Sequence, residues 1–169
     1  MSQKNIYGEE LKPCRKPSNS SDYSGSWDKN GLCSDRGAND PGVHQICFSV
    51  DSESKNFSQK TGQSNWSEES RLNKHHCMCL GAYSLYKTKM RKGEISSHGS
   101  KLKCNAIPES ALSNKYVSNW QEWNGYEREY QLDKNYKDSL RELFNECYNN
   151  QAPNNDAKNY LKKLYDNLN

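Results

Sequence analysis

The chain has 169 residues, 24 Lys and Arg against 21 Asp and Glu, and a formal net charge of +3. That length holds one core with an appendage rather than several domains. The near-balanced charge, with 11 Tyr and 4 Trp, excludes the charged, aromatic-poor composition of a disordered chain. Leu, Ile, Val and Phe make up only about 14 % of the residues, so a thin core and long polar loops are expected.

No window approaches the ~18 apolar residues that mark a membrane-span candidate, and the first fifteen residues lack the apolar run of a secretory signal. A cytoplasmic protein without a membrane partner is expected. In a reducing compartment the seven cysteines would remain thiols, so metal-binding, catalytic or buried roles are expected ahead of cross-links.

Taken in chain order, residues 5–14 carry Gly8 and Pro13 and read as a turn leading into an extended piece. Asn30 and Gly31 accept the positive φ angles of a tight turn. Residues 42–50 are β-branched and aromatic-rich behind Pro41 and Gly42, and predict a strand. Asp51 can cap a short helix over 52–61, stopped by Gly62. After a polar loop, a short strand is expected to end near Cys79. A helix follows, with Leu80, Tyr83 and Tyr86 at helical spacing.

Residues 87–103 carry six Lys or Arg against one Glu and read as an exposed basic loop. Ile107, Pro108 and Glu109 open another short helix, since Pro is favoured in a first turn. Residues 117–123 form a last short element. From Asp133, the positions Tyr136, Leu140, Leu143, Phe144, Cys147 and Tyr148 share one helical face, and Asn154 or Asn155 caps a second helix with Ala157, Leu161, Leu164, Tyr165 and Leu168 on one face. The expected fold is α+β. A small, mostly antiparallel sheet with short helices occupies residues 5–124, and a C-terminal helical hairpin occupies 132–168, packed on that domain or accessory to it.

Chemistry is concentrated in Cys and His. Cys77 and Cys79 are two apart, so an extended strand presents both thiols on one face, at a spacing comfortable for chelating a soft cation. A helix starting just after Cys79 would favour the thiolate through its unsatisfied amides. His75 shares that face, and His76 adds a second imidazole. His44 and Cys47 form a His-x-x-Cys pair, although i and i+3 point to opposite sides of a strand. Cys14 and Cys33, each near a Gly or Pro turn, could complete a ligand set with Cys77 and Cys79. No pair of Cys-x-x-Cys knuckles is present. Cysteines in a sparse core are commonly small buried hydrophobes, and Cys104 and Cys147 are assigned to such packing, His98 to solvent.

The basic loop lacks interleaved aromatics for base stacking, and a pI of 8.4 lies below the range of most nucleic-acid-binding domains. Nucleic-acid binding is therefore not expected. No Gly-rich phosphate loop, nucleophile elbow or paired-carboxylate motif occurs.

The stretches NIYGEELKPC (5–14), GLC (31–33), GVHQIC (42–47), FSQKTG (57–62), HCMC (76–79) and 106–112, in this order, resemble the family catalogued as domain of unknown function 2237. The resemblance covers about residues 5–120. It implies that Cys14, Cys33, His44, Cys47, Cys77 and Cys79 stand at the family's motif positions. His76 replaces the family's usual Trp before Cys-x-Cys, and Leu32 replaces a paired Cys before Cys33. Residues 15–26, 87–103 and the helical tail look like additions. The resemblance brings no reaction with it.

Three functions remain open from the residues. The first is a site for zinc or a similar metal ion, built from Cys14, Cys33, His44, Cys47, Cys77 and Cys79. The second is thiol catalysis or redox chemistry at Cys77 or Cys79 with a nearby histidine as acid or base. The third is an interaction module using the tail or the basic loop.

Overall fold

The computed structural model of the chain describes residues 3–15, 30–35, 44–52, 54–61, 74–95, 101–121 and 136–168. The elements run β1 (Ile46–Val50), α1 (Phe57–Lys60), β2 (Lys74–Met78), α2 (Leu80–Arg91), 3-10 turns at Cys104–Ala106 and Glu109–Leu112, α3 (Asn114–Gln121), α4 (Tyr136–Glu146), a π-helical turn at Cys147–Gln151, and α5 (Asn155–Asp166). The chain is a small α+β protein. No helix of the described residues is long and apolar enough to cross a membrane.

β1 and β2 pair antiparallel, with Cys47 opposite Cys77 and Phe48 opposite His76. Because facing residues of an antiparallel pair project to the same side, the sheet has one face bearing Cys47 and Cys77 and another bearing Phe48. The Phe48 face is covered by α2, where the rings of Phe48 and Tyr86 meet edge to face at 4.9 Å. The Cys face is covered by the N-terminal segments. Residues 101–103 run beside the outer edge of β1, where Ser49 N donates to Lys101 O at 2.6 Å and Lys103 N to Cys47 O at 3.2 Å. That segment satisfies an edge that would otherwise expose unpaired amides.

The N-terminal segment is organised by Asn5, which is fully buried. Its Oδ1 accepts from Tyr7 N at 2.9 Å and Glu9 N at 3.1 Å, and its Nδ2 donates to Asn105 O at 3.1 Å. Ile6 N donates to Ile107 O at 3.0 Å, so the segment lies along residues 105–109.

The expected strand over 42–50 is present from Ile46 to Val50, and 42–43 lie outside the described residues. The helix expected over 52–61 is confined to Phe57–Lys60. Asn56 holds a left-handed φ of 62°, which a right-handed helix cannot contain. Ahead of it, Asp51 and Ser54 bond each other, Ser54 Oγ accepting from Asp51 N at 2.9 Å and Asp51 Oδ1 from Ser54 N at 3.1 Å.

The strand expected to end near Cys79 and the helix after it are present, but the basic loop is shorter than expected. Residues 87–91 continue α2 because Lys87 and Arg91 reach Glu142 of α4, at 3.4 and 3.1 Å. The rest of the loop is described only at 92–95 and 101–103, which leaves His98 outside. The short helix after Pro108 is the 3-10 turn Glu109–Leu112. The element expected at 117–123 belongs to α3, which starts at Asn114, and 122–123 lie outside the described residues.

Both tail helices are present, the first from Tyr136 with 132–135 outside the described residues, and Asn154 caps the second by accepting from Ala157 N at 2.9 Å. They meet at Phe144 and Tyr165, whose rings stack at 4.4 Å. The α-helical pattern gives way to the π turn at Cys147, whose carbonyl accepts from the Tyr7 hydroxyl at 2.7 Å. Gln151 ends that turn by bonding Cys104 N at 3.0 Å and Leu102 O at 2.8 Å. Tyr160 lies flat against Gly8, which has φ +78° and no side chain to obstruct the ring.

Candidate functional site in the cysteine cluster

Two N-terminal segments deliver cysteines to the Cys47 and Cys77 face of the sheet. Cys14 N donates to Gly31 O at 2.8 Å, which sets the Cys14 segment beside the turn leading to Cys33. Gly31 adopts φ +79°, in line with the turn expected at Asn30 and Gly31. Cys14 then bonds Cys47, with sulfurs 1.97 Å apart, and Cys33 bonds Cys77 at 2.01 Å. The two pairs adjoin, since the sulfurs of Cys14, Cys33 and Cys47 all lie within 4.8 Å of one another. All four residues are at most 1 % exposed.

This corrects the expectation that the cysteines stay as thiols. Six of the seven are in disulfides, the third pair being Cys104–Cys147 at 2.11 Å, where packing alone was expected. Both of these residues are also fully buried, so the bond joins groups that the core already holds. Spacing by itself could not have found the pairs, because six cysteines allow fifteen connectivities.

Of the expected site residues, the structure converges Cys14, Cys33, Cys47 and Cys77. Cys79 is not in a disulfide. It stands one residue past β2 as the N-cap of α2, where its Sγ accepts from Ala82 N at 3.3 Å. His44 precedes β1, and the sulfur group within 4.8 Å does not include it. His75 is half-buried. Burial, then the charge of Lys103, hold its pKa below the usual histidine range and favour the neutral ring. Lys103 itself was not singled out from the sequence, yet its Nζ donates to Pro13 O at 2.6 Å, beside Cys14.

As disulfides these sulfurs are weak donors. Reduced, they would offer four thiolates from four chain segments. A tetrahedral zinc with bonds of ~2.3 Å needs sulfurs ~3.8 Å apart; Cys14, Cys33 and Cys47 fall within the 4.8 Å limit, while Cys77 is outside that group and is tied to it by its bond to Cys33.

Fold and cluster together define a small α+β protein with adjoining cysteine pairs on one face of a two-stranded sheet. The family model described as "uncharacterized protein conserved in bacteria (DUF2237)" matches residues 4–115, and the chain belongs to that family. The match takes in every cysteine except Cys147. No curated protein matches the chain.

Proposed function

We propose that Cys14, Cys33, Cys47 and Cys77 form a thiol cluster with two states, a pair of disulfides when oxidised and a site for zinc or a similar thiophilic cation when reduced. The single observation that carries this reading is the approach of Cys33, from one disulfide, to within 4.8 Å of both sulfurs of the other. Two independent staples have no need to adjoin, whereas ligands of one ion must; Cys77 would be the fourth ligand through its place beside Cys33.

Each disulfide takes two electrons and two protons from a dithiol reductant, which is itself oxidised to a disulfide. Four thiols result, and binding the cation displaces their protons. Oxidation by a small-molecule disulfide reverses the step and frees the ion. With four buried sulfurs and no open position, the site has the character of a closed structural centre. The cytoplasm, where thiols are kept reduced, is where this metal form would accumulate.

Elemental analysis after purification under reductant and without chelator tests the reading. About one equivalent of zinc is expected in the reduced protein, falling on oxidation. Less than about a tenth of an equivalent in fully reduced, folded protein would sink it.

A second reading, a reactive thiol, is favoured at Cys79 by its position at the N-terminus of α2 and the amide hydrogen bond to its sulfur. Its test is alkylation rate against pH. Titration like a free thiol, near pH ~8.5, would remove the support.

A further inference from the structure

On the Phe48 side of the sheet, away from the cysteine cluster, a cavity of about 550 Å³ opens between α2 and α4. Tyr83, Lys87 and Arg91 line it from successive turns of α2, and Glu142, Glu146 and Asn149 line it from α4 and the π turn. Its size is that of small-molecule sites.

The polar groups of this cavity are incompletely matched to one another. Glu142 stands opposite two cations, with Arg91 Nη1 on Oε1 at 3.1 Å and Lys87 Nζ 3.4 Å from Oε2. Oε2 is nevertheless buried without a hydrogen-bond partner. A buried carboxylate oxygen whose ionic neighbour makes no hydrogen bond to it keeps acceptor capacity for an N–H or O–H.

The stretch of the lining that follows α4 is held in a rare conformation. The π turn that carries Asn149 is fixed by the Cys104–Cys147 bond, the Tyr7 hydroxyl and the side chain of Gln151. Such turns are found disproportionately at functional sites.

Charge selects the ligand class. Lys87 and Arg91 balance Glu142 and Glu146, while Lys101, also in the lining, is paired with Asp51. An anion would meet two carboxylates and a cation would meet two basic side chains. A molecule carrying both signs replaces each ion pair it opens, with no net change in charge.

We propose that this cavity binds a small zwitterion, a free amino acid or a molecule with an amino-acid head group, its ammonium donating to Glu142 Oε2 and its carboxylate held by Arg91 and Lys87. Tyr83 serves as a permanent hydroxyl donor. Burial, then the charges of Glu142 and Glu146, push its pKa up and outweigh the opposing pull of Arg91.

The test is titration of the isotope-labelled full chain, disulfides intact, with the common free amino acids, followed by NMR. The best binder is then compared with its decarboxylated amine and its deaminated acid. Saturable shifts confined to α2, α4 and the π turn are expected, with Kd at or below about 1 mM, and at least tenfold weaker binding of the amine and of the acid. Glu142→Gln should weaken the zwitterion about tenfold without weakening the acid, which loses a repelling carboxylate. If that variant fails to fold, the two analogues on the unmodified chain decide. No saturation by any amino acid up to about 20 mM, or an amine or acid that binds as tightly as the zwitterion, overturns the proposal. The outcome is separate from that of metal loading, which requires the reduced protein.

Discussion

Cys47 and Cys77 face each other across the antiparallel pair, yet each is bonded to a different segment, Cys47 to Cys14 and Cys77 to Cys33. The register therefore does not make a cross-strand bridge. It sets two cysteines opposite each other and leaves each to capture a cysteine from the N-terminal segments. Those segments arrive together because Cys14 is hydrogen-bonded to Gly31, two residues before Cys33.

The Cys104–Cys147 bond spans 43 positions and joins the family-matched region to the tail. Cys104→Ala with Cys147→Ala should cost about 2–4 kcal/mol, because the unfolded chain regains the entropy of an open loop. Urea unfolding of the double variant measures this. A midpoint unchanged from the parent would mean that the core alone holds the tail.

Gly8→Ala should destabilise by about 2 kcal/mol or more, since φ there is +78° and the new Cβ would sit 2.7 Å from Cδ2 of Tyr160. Against a Tyr160→Ala background the same change should cost only the backbone part, about 1 kcal/mol. Equal costs in both backgrounds would show that the ring moves aside freely.

Cys79 caps α2 through its sulfur. Cys79→Ser, which restores a good cap, should leave stability within about 0.5 kcal/mol of the parent, while Cys79→Ala should lose about 1 kcal/mol. Thermal unfolding of the two variants separates capping from packing, because both remove the thiol and only one removes the acceptor.

Three tyrosines resist ionisation in the fold. Tyr7 is raised by burial and then by Glu146 and Glu9, and Tyr83 by burial and then by Glu142 and Glu146. Tyr160 is pushed up to about 12, first by its hydrogen bond to Glu109. Each folded pKa exceeds the unfolded value of about 10, so the native state binds more protons above that pH. Their stabilisation is complete below pH ~10 and is lost as pH rises through it toward the folded values. Urea midpoints should fall steeply above pH ~10, and Tyr7→Phe should flatten the slope. Tyr160 is more exposed and contributes less than the other two. A flat profile would show that the phenols titrate as in the unfolded chain.

Features governed by neighbours three or four positions away were legible from the residues. The apolar stripes of α4 and α5, the Asn154 cap, the β-branched strand β1 and the helix after Cys79 all form. So does the α+β class, which follows from that mixture. Departures begin where a distant residue intervenes. α2 runs on through basic residues because Glu142, some fifty positions later, neutralises them. The helix of α4 turns π at Cys147, where Tyr7 takes its carbonyl. The cysteines are the extreme case. The residues suggested one ligand set of Cys14, Cys33, His44, Cys47, Cys77 and Cys79, but spacing gave no pairing, and partners 33 and 44 positions apart are selected by strand register and by one loop leaning on another. Pattern records what a residue does to its own turn of chain, while the choice of partner is made by contacts that exist only once the chain has folded.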